Sequence, residues 1–479
     1  MRLFSITVLL ILFVSPLLFG QNLPDTLLRK EFNLIQFSNR AALSHAFQVW
    51  QTNGNKRFTI LHLGDSHLQN ENLPNKSRSL VQKLLGDGGI GLIEPFSIVK
   101  SYDASFYKSK HTGNWEYAKS YILPPKIPLG VRGMTAKTKE ENASFTIQFS
   151  TPVSNANNLL TVFLENTESN FKPLIFADSL LVPFIRSEPG IQEYSLPANF
   201  KTLSLKLQKT SDLQQEFTLY GLSLSNANKK GAIWHNAGVG ASQYKSVLYE
   251  DLYTTQAQYL NPDLVIIDSG TNDFLYTNKI PANLKSEIER VIAKVHLSSP
   301  AASIVLTSAQ DMTFKGRKIT ASQEFSDLIK QIAFETNCGF WDWYQISGGP
   351  NTMGIWGLNG HSMKDGIHLN GKGSMVKGSL LFSALESTYL RFAKEAELKE
   401  LILEKPAITN RIEAPKTESK VEIKTVVKPS NKSLKIIVKK GQNLSEIADR
   451  YHLSVRQLKK INQLTSDKLS IGQELSISK

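Results

Sequence analysis

Ser66 lies at the carboxyl end of an apolar segment, in the stretch TILHLGDSHLQ. A serine hydroxyl is a weak nucleophile until a base removes its proton, and histidine is the side chain suited to that task near neutral pH. Far along the chain, MKDGIHLN places Asp365 three residues before His368. A carboxylate bound to one imidazole nitrogen fixes the tautomer in which the other nitrogen accepts a proton. Ser66, His368 and Asp365 are therefore candidates for nucleophilic attack on a carbonyl carbon.

Two further segments could donate hydrogen bonds to the oxyanion that such an attack forms. IWHNAGVGAS places Gly240 and Ala241 in a turn after an apolar segment, and VIIDSGTND places Asn272 after another. Backbone N–H groups of Ser66 and of the glycine turn, together with the Asn272 amide, are predicted to form an oxyanion hole. The sequence leaves open whether Gly240 or Ala241 donates, because both carry a backbone N–H.

The segments that precede these residues have the pattern of buried parallel strands. DLVIID and SIVLT are near-continuous apolar runs, as expected for strands covered on both faces, and helical patterns over 280–295 and 322–335 lie around them. Alternating strands and helices predict βαβ units and a parallel sheet. Loops at the carboxyl ends of parallel strands converge on one crevice, so we expect the four polar segments to meet there.

Between about Ser101 and Asn226 the pattern changes to short alternating segments such as ASFTIQFS and TLSLKLQ, which predict an antiparallel β-sandwich. Residues 398–432 repeat Lys, Glu, Pro, Thr and Val without a core-forming period and are predicted to be a linker. We therefore predict six segments: a signal peptide (1–20), a first α/β part (21–97), a β-sandwich insert that resembles a carbohydrate-binding insert (98–228), a second α/β part (229–397), the linker (398–432) and a small βααβ module (433–479).

The amino-terminal residues have the composition of a secretory signal peptide. Met1 and Arg2 precede an apolar run over residues 3–19, and Gly20 and Gln21 follow it. A membrane anchor is the alternative, but the run is slightly short for a span and lacks a basic segment on its far side. We expect export to the periplasm, the cell wall or the medium, with no stable membrane span after removal of the signal peptide.

The net charge of +13 is uneven along the chain. Residues 401–479 contain sixteen Lys and Arg against eight Asp and Glu. On an exported protein, a basic tail favours an anionic polymer or surface over a nucleic acid. His62, His67 and His361 lie near the motifs but not at ligand spacing with Cys or carboxylates, so we expect no metal and no cofactor. His67 is expected to pack beside the nucleophile or to touch the substrate.

Taken together and in their order, GDSH, the glycine turn, GTND and DGIH resemble the motifs of the SGNH (GDSL-type) serine esterases. The resemblance covers residues 21–91 and 231–396 and implies ester hydrolysis on a flavodoxin-like, three-layer α/β fold. Matched residue by residue, it implies these roles: Ser66 as nucleophile, His368 as base, Asp365 as triad acid, and Ser66, Gly240 or Ala241, and Asn272 as oxyanion donors. Ala241 is a departure, since glycine is common there. The absence of G-x-S-x-G around Ser66 argues against an α/β-hydrolase elbow.

The carboxyl-terminal block resembles a lysin motif (LysM). VKKGQNLSEIADRYHLSVRQLKKINQL followed by LSIGQELSI spans the whole βααβ module. The resemblance implies binding to glycans built on N-acetylglucosamine, such as peptidoglycan or chitin. A generic βααβ dimerisation domain is the alternative for this block.

The expected function is that of an exported serine esterase that removes O-acyl groups, foremost O-acetyl, from cell-wall glycan through an acyl-enzyme. An insert between the nucleophile and the glycine turn resembles the arrangement in peptidoglycan O-acetylesterases of the SGNH family. An esterase acting on another O-acylated polysaccharide or on a lipid would have the same Ser66, Asn272 and His368. The other alternative is a peptidoglycan-binding protein with an inactive enzyme core, against which the intact set of candidate catalytic residues argues.

Overall fold

The computed structural model describes residues 23–24 and 26–393 and, in the carboxyl-terminal part, residues 434–438, 444, 447–448, 455–464, 466, 469–470 and 472–477. The chain divides into two compact units, Met1–Ala407 and Ile408–Lys479. The predicted signal peptide (1–20) and linker (398–432) lie outside the described residues.

The first unit combines a mostly parallel sheet with two larger antiparallel sheets and a two-stranded antiparallel hairpin, β18–β19. Its strands are β1 (Ile35–Gln36), β2 (Phe58–Gly64), β3 (Gly91–Ile93), β4 (Tyr107–Thr112), β5 (Glu116–Lys119), β6 (Met134–Thr138), β7 (Ser144–Phe149), β8 (Leu159–Leu164), β9 (Lys172–Ala177), β10 (Leu180–Leu181), β11 (Phe184–Glu188), β12 (Ile191–Ser195), β13 (Thr202–Gln208), β14 (Phe217–Ser225), β15 (Ala232–Gly238), β16 (Leu264–Asp268), β17 (Ser303–Thr307), β18 (Met312–Phe314), β19 (Arg317–Ile319) and β20 (Gly339–Trp341).

Helices cover both faces of the parallel sheet, and short helices lie in the loops that follow its strands. They are α1 (Ala41–Trp50), α2 (Ser66–Gln69), α3 (Asn72–Leu85), α4 (Tyr253–Leu260), α5 (Thr271–Phe274), α6 (Leu284–Ser298), α7 (Ala321–Glu335), α8 (Trp343–Ile346), α9 (Met353–Leu358) and α10 (Gly371–Ala393), with 3₁₀ turns at Lys30–Phe32 and Tyr244–Tyr249. Within the described ranges, no helix is both apolar enough and long enough to cross a membrane.

The six-stranded sheet has the order β1-β20-β17-β16-β2-β15. Its last five strands are parallel, and numbered among themselves along the chain they lie in the order 2-1-3-4-5. This is the flavodoxin-like order, which confirms the predicted fold class. The edge strand β1 is antiparallel to β20, so the sheet is mixed. The sequence pattern missed β1 because two residues are too few to show a strand period.

Burial explains the apolar runs in the sequence. Every residue of β2, β15, β16 and β17 is buried, because helices cover both faces of these strands. Helix α7 agrees with the predicted helix over 322–335 to within one residue. Helix α6 begins at Leu284, four residues later than the pattern over 280–295 predicts. Pro281 sits in the turn before it, and the Leu284 N–H donates to the Pro281 carbonyl at 3.0 Å.

The central strands end at the same level of the sheet. Gly64, the last residue of β2, is in register with Gly238 at the end of β15 and with Asp268 at the end of β16. The segments that follow these three residues therefore leave the sheet side by side. In this strand order the gap between the first and third parallel strands is the switch point at which ligands bind.

Two antiparallel sheets form the predicted β-sandwich. One has the order β10-β9-β13-β7-β4, and the other has the order β11-β12-β8-β14-β6-β5, with β3 paired to β14. Buried and outward residues alternate along β7 and β13, as expected for strands with one covered face. Because Gly91–Ile93 pairs with β14, this sheet includes residues that precede 98, where the sequence pattern placed the start of the insert.

The second unit contains β21 (Leu434–Ile437), α11 (Val455–Asn462) and β22 (Glu474–Ile477), with β21 antiparallel to β22. Asn462 at the end of α11 joins the helix to β22. Its Nδ2 donates to the Ser476 carbonyl at 2.9 Å, and its Oδ1 accepts from the Ser476 N–H at 2.6 Å. A small apolar core, which includes Leu458 and Leu475, lies between these elements.

A buried ion pair fixes α10 to the end of β16. The Lys377 ammonium lies 2.7 Å and 3.0 Å from the two Asp268 carboxylate oxygens, and the Thr307 hydroxyl donates to one of them at 2.7 Å. Both charged side chains are buried. Burial would raise the pKa of Asp268, but the Lys377 ammonium, His62 and the Thr307 hydroxyl together hold that pKa below its ordinary value.

Replacing Lys377 with methionine should lower the free energy of unfolding by about 3–5 kcal/mol, because Asp268 would remain buried without its cation. The measurement is urea denaturation at neutral pH. Since the pKa of Asp268 is lowered in the folded state, the contribution of the pair exists above the pKa of the unfolded carboxyl. This stabilisation should vanish as the pH falls through the pKa of Asp268 in the folded protein. The free energies of unfolding of the unaltered protein and of Lys377→Met should then become similar.

The control variant is Lys285→Met. Lys285 forms an exposed ion pair with Glu335, 2.6 Å apart, and solvent screening should make its loss nearly neutral. The double variant Asp268→Asn/Lys377→Met should recover part of the stability lost in Lys377→Met, because no unpaired charge is then buried. Equal destabilisation by Lys285→Met and Lys377→Met would contradict the role given to the buried pair.

Candidate active site

The candidate nucleophile lies at the first turn after β2. Asp65 caps the short helix α2, because its Oδ1 accepts the His67 N–H at 3.0 Å. Ser66 is the first residue of α2 and is partly exposed. The strand end and the cap thus hold the Ser66 hydroxyl at the solvent-facing edge of the sheet.

His368 and Asp365 meet Ser66 from the loop that precedes α10. The Ser66 Oγ lies 2.7 Å from the His368 Nε2, and the His368 Nδ1 lies 2.6 Å from the Asp365 Oδ2. The other Asp365 oxygen accepts the N–H groups of Ile367 at 2.9 Å and of His368 at 3.0 Å. The sequence-predicted serine, histidine and aspartate are therefore joined in one hydrogen-bonded series.

The environment of Asp365 favours its charged form. Partial burial would raise its pKa, but hydrogen bonds from the His368 N–H, the His368 ring and the Ile367 N–H lower that pKa below its ordinary value. A carboxylate that stays ionised can hold the imidazole in the tautomer whose Nε2 faces the serine.

The turn after β15 presents two free N–H groups. Within the described part of the chain, the backbone N–H groups of Gly240 and Ala241 have no hydrogen-bond acceptor. The N–H of Val239 donates to the Gly64 carbonyl at 3.0 Å, and that of Ser242 donates to the Val239 carbonyl at 3.2 Å, so both sides of the turn are tied down. Ala241 has a φ of +65°, the left-handed conformation that glycine prefers. The turn therefore carries an alanine in a conformation that glycine adopts with less strain.

Asn272 lies beside this turn. Its segment begins with Gly270, whose φ is +120° and where a Cβ atom would come within 2.0 Å of the Phe325 ring, so glycine is required. The Asn272 Nδ2 donates to the Ser242 carbonyl at 2.9 Å, and the Gln243 Nε2 donates to the Asn272 carbonyl at 3.0 Å. An amide nitrogen carries two hydrogens, so one remains available after the bond to Ser242.

His67 connects the serine segment to the histidine loop. Its Nδ1 lies 2.8 Å from the Asp65 Oδ1, its Nε2 lies 3.3 Å from the Ile367 carbonyl, and its ring centroid is 5.0 Å from that of His368. Burial would lower the pKa of His67, but Asp65 raises it overall. The expectation that His67 packs beside the nucleophile agrees with this geometry.

Three long-range hydrogen bonds at the site, which involve Gln310 and Arg132, were not predicted. The Gln310 Nε2 donates to the Ile367 carbonyl at 2.6 Å, and the Trp343 indole donates to the Gln310 Oε1 at 2.9 Å. Gln310 belongs to SIVLTSAQD, a further apolar run that ends in polar residues, so the pattern could have indicated it. From the β-rich region, the Arg132 Nη1 donates to the Gly238 carbonyl at 2.9 Å. No local pattern marks Arg132.

The histidines near the motifs are bound by protein groups. His62 accepts from the Trp234 indole at 3.3 Å, and the His361 Nδ1 lies 2.6 Å from the Asn359 carbonyl. Across the residues that the structure describes, no group of three or more His, Cys, Asp and Glu side chains could hold a metal ion.

Comparisons with known proteins identify two parts of the chain. Residues 214–376 match the GDSL-like Lipase/Acylhydrolase family, and residues 436–478 match the LysM domain. The first range contains Asn272, Asp365 and His368, whereas Ser66 precedes it. A search of curated proteins found no match.

Among solved structures, a peptidoglycan O-acetylesterase matches with a TM-score of 0.62 and 21% identity, over 75% of this chain and 99% of that chain. A lipase/acylhydrolase from Enterococcus faecalis matches with a TM-score of 0.27 and 18% identity, over 33% of this chain and 77% of that chain. A family two carbohydrate esterase from Cellvibrio japonicus has a TM-score of 0.25 and 11% identity, over 59% and 98% of the two chains. The chain thus has the predicted SGNH fold, and its GDSL-like domain is that of a serine esterase.

Ala241→Gly should leave the rate of ester hydrolysis close to that of the unaltered protein, because the backbone N–H is retained. Its free energy of unfolding should stay equal or rise by about 1 kcal/mol, since relief of the positive φ outweighs the added freedom of the unfolded chain. The measurements are kcat on a soluble ester and urea denaturation.

The contrasting variant is Gly238→Ala, in which a Cβ atom would come within 2.4 Å of the Leu68 Cβ and 3.1 Å of the Asp65 carbonyl oxygen. That variant should lower kcat by displacing the turn from α2. A large loss of kcat in Ala241→Gly would mean that the Ala241 methyl group, and not its N–H, matters.

Proposed function

We propose that this chain is an exported esterase that removes O-acetyl groups from cell-wall glycan through a Ser66–His368–Asp365 triad and an acetyl-enzyme. The observation that carries the proposal is the pair of short contacts at His368. Its Nε2 lies 2.7 Å from the Ser66 Oγ, and its Nδ1 lies 2.6 Å from the Asp365 Oδ2.

In the first half-reaction, the Ser66 oxygen attacks the carbonyl carbon of the acetyl ester while His368 takes the hydroxyl proton. The resulting oxyanion accepts hydrogen bonds from the Ser66 N–H, from Gly240 or Ala241, and from the Asn272 amide. These donors are fixed before the reaction, so little reorganisation is needed when the charge develops. His368 then gives its proton to the departing sugar oxygen, and the acetyl group remains on Ser66.

In the second half-reaction, His368 removes a proton from water, which attacks the acetyl-enzyme. His368 then returns this proton to the Ser66 oxygen as the bond to the acyl carbon breaks, which releases acetate and restores the serine hydroxyl. The same oxyanion donors serve again, because the carbonyl carbon is unchanged. Asp365 stabilises the imidazolium in both steps and holds the ring orientation. The lowered pKa of Asp365 keeps this carboxylate ionised at neutral pH.

Three features support cell-wall glycan as the substrate. Residues 436–478 form a LysM domain, which we propose binds N-acetylglucosamine-containing glycan. A solved structure that matches 75% of this chain is a peptidoglycan O-acetylesterase. The predicted signal peptide (1–20) would place the enzyme in the periplasm, the cell wall or the medium, and the predicted linker (398–432) would tether the LysM domain to it. A tethered glycan-binding domain raises the local concentration of ester groups.

Ser66→Ala should abolish both labelling by a fluorophosphonate probe and acetate release from O-acetylated peptidoglycan, because the attacking oxygen is removed. Only a residual acceleration from the oxyanion donors should remain. The control is Ser204→Ala, a half-buried sandwich serine that bonds Thr146 at 2.9 Å. It should label and hydrolyse normally. Persistent labelling of Ser66→Ala would refute the nucleophile assignment, and a lack of acetate release by the unaltered protein would refute the substrate.

Deletion of residues 398–479 should separate hydrolysis from glycan binding. All proposed catalytic residues lie in the first compact unit, so hydrolysis of a small soluble ester should persist. Co-sedimentation with insoluble peptidoglycan should fall, and activity on that polymer should fall with it.

High salt and N-acetylglucosamine oligomers distinguish the two sources of binding. The deleted segment is basic, so any electrostatic share of its binding should weaken in high salt. Sugar-specific binding should persist in high salt and be displaced by the oligomers. Unchanged sedimentation and polymer activity after the deletion would exclude a targeting role for the LysM domain.

A further inference from the structure

An exposed aromatic ring is held in a fixed position shortly after the Asn272 segment. The side chain of Tyr276 is 68% exposed, yet its ring packs edge-to-face on Phe314, with centroids 5.3 Å apart and planes at 86°. The Arg317 Nη2 also donates to the Tyr276 carbonyl at 2.9 Å. Phe314 and Arg317 both belong to the hairpin β18–β19, so this hairpin makes both contacts to Tyr276.

The same hairpin contacts the loop that carries the candidate base. The Thr313 N–H donates to the Gly366 carbonyl at 2.8 Å, and a Cβ atom on Gly366 would lie 2.6 Å from the Thr313 carbonyl oxygen. Gly366 directly follows Asp365 and lies two residues before His368. Tyr276 and Phe314 therefore bridge the Asn272 segment and the His368 loop, which places Tyr276 at the rim of the site.

The two rings of this pair are not equally available to a ligand. The Lys315 ammonium lies 5.3 Å from the centroid of the Phe314 ring, and Phe314 is only partly exposed. Tyr276 has the greater exposed area, and its ring is already ordered. Binding to an ordered aromatic side chain costs little conformational entropy.

Sugars fit such a surface by their own chemistry. The C–H groups on one face of a pyranose ring are apolar and pack against an aromatic face, while the hydroxyl groups point to the ring edge and remain hydrated. An amphipathic tyrosine suits both parts of such a ligand. A fatty acyl chain would instead require an extended apolar surface, whereas the groups next to Tyr276 include the cationic Lys315 and Arg317.

We propose that Tyr276 is a specificity residue, whose ring stacks on the pyranose ring of the acetylated sugar while the acetyl group reaches Ser66. This inference rests on the proposed function and narrows it, because it assigns the substrate class to acetylated pyranosides. Tyr276 contributes through sugar binding and takes no part in proton transfer or oxyanion stabilisation.

The test compares esters with and without a sugar ring in the full-length protein. In Tyr276→Ala, kcat/KM for solubilised O-acetylated peptidoglycan fragments and for acetylated xylan should fall about tenfold, mainly through KM. The value for p-nitrophenyl acetate, which has no sugar ring, should stay unchanged. Tyr276→Phe keeps the ring and should retain the activity on the acetylated glycans.

The matched control is Phe32→Ala. Phe32 is 44% exposed and precedes β1, which lies four strand spacings from β2, or roughly 19 Å. This variant should hydrolyse all three esters like the unaltered protein. Equal losses on all three esters in Tyr276→Ala would indicate a structural role and overturn the inference, as would no loss on either glycan.

Failure of the proposed function gives a different result. If the unaltered protein cleaves acetylated xylan but not peptidoglycan fragments, the peptidoglycan assignment fails and Tyr276 is still tested on xylan. If peptidoglycan is cleaved and Tyr276→Ala has no effect on it, only the stacking inference fails. If the unaltered protein cleaves p-nitrophenyl acetate but neither glycan, the proposed substrate and the stacking role of Tyr276 are both overturned.

Discussion

The register of β2 with its two parallel neighbours is the constraint on which the site depends. Gly64 is level with Gly238 and with Asp268, so the serine segment, the turn and the Asn272 segment begin side by side. Close packing enforces this arrangement. A Cβ atom on Gly64 would lie 2.5 Å from a Leu68 methyl carbon, and one on Gly238 would lie 2.4 Å from the Leu68 Cβ. Small residues at both strand ends therefore let α2 approach the turn that carries the free N–H groups.

The base reaches this edge by a different route, because His368 is on a long loop. The Ile367 carbonyl accepts from the Gln310 amide and lies within hydrogen-bond distance of the His67 ring, while Gly366 accepts from the hairpin β18–β19. His67 belongs to the same short helix as Ser66 and is oriented by Asp65. The separation of Ser66 and His368 is thus set partly by the serine segment itself, which explains why a histidine directly after the serine suits this site.

Local pattern was sufficient for the strands, the long helices and the candidate triad, because each of those residues follows an apolar run or sits in a short motif. It was insufficient where distant residues decide the outcome. The edge strand β1 exists through pairing with β20, and Gln310 and Arg132 act on carbonyls far along the chain. The turn after β15 shows both situations. The sequence located this turn, but it did not distinguish Gly240 from Ala241 as the oxyanion donor. The structure gives Ala241 a positive φ, which no local pattern indicated, and leaves the backbone N–H groups of both residues without an acceptor among the described residues.

Arg132 shows that the β-rich region contributes to the site. A buried guanidinium needs hydrogen-bond acceptors. Arg132 is fully buried, donates to the Gly238 carbonyl and lies near the buried carboxyl of Glu94. Burial raises the pKa of Glu94 to about 8 even though Arg132 acts in the opposite direction. Because Gly238 ends β15 and begins the turn, loss of Arg132 would leave that carbonyl without its charged donor. A hydrogen bond from a buried guanidinium therefore joins the sandwich to the turn that begins at Gly238.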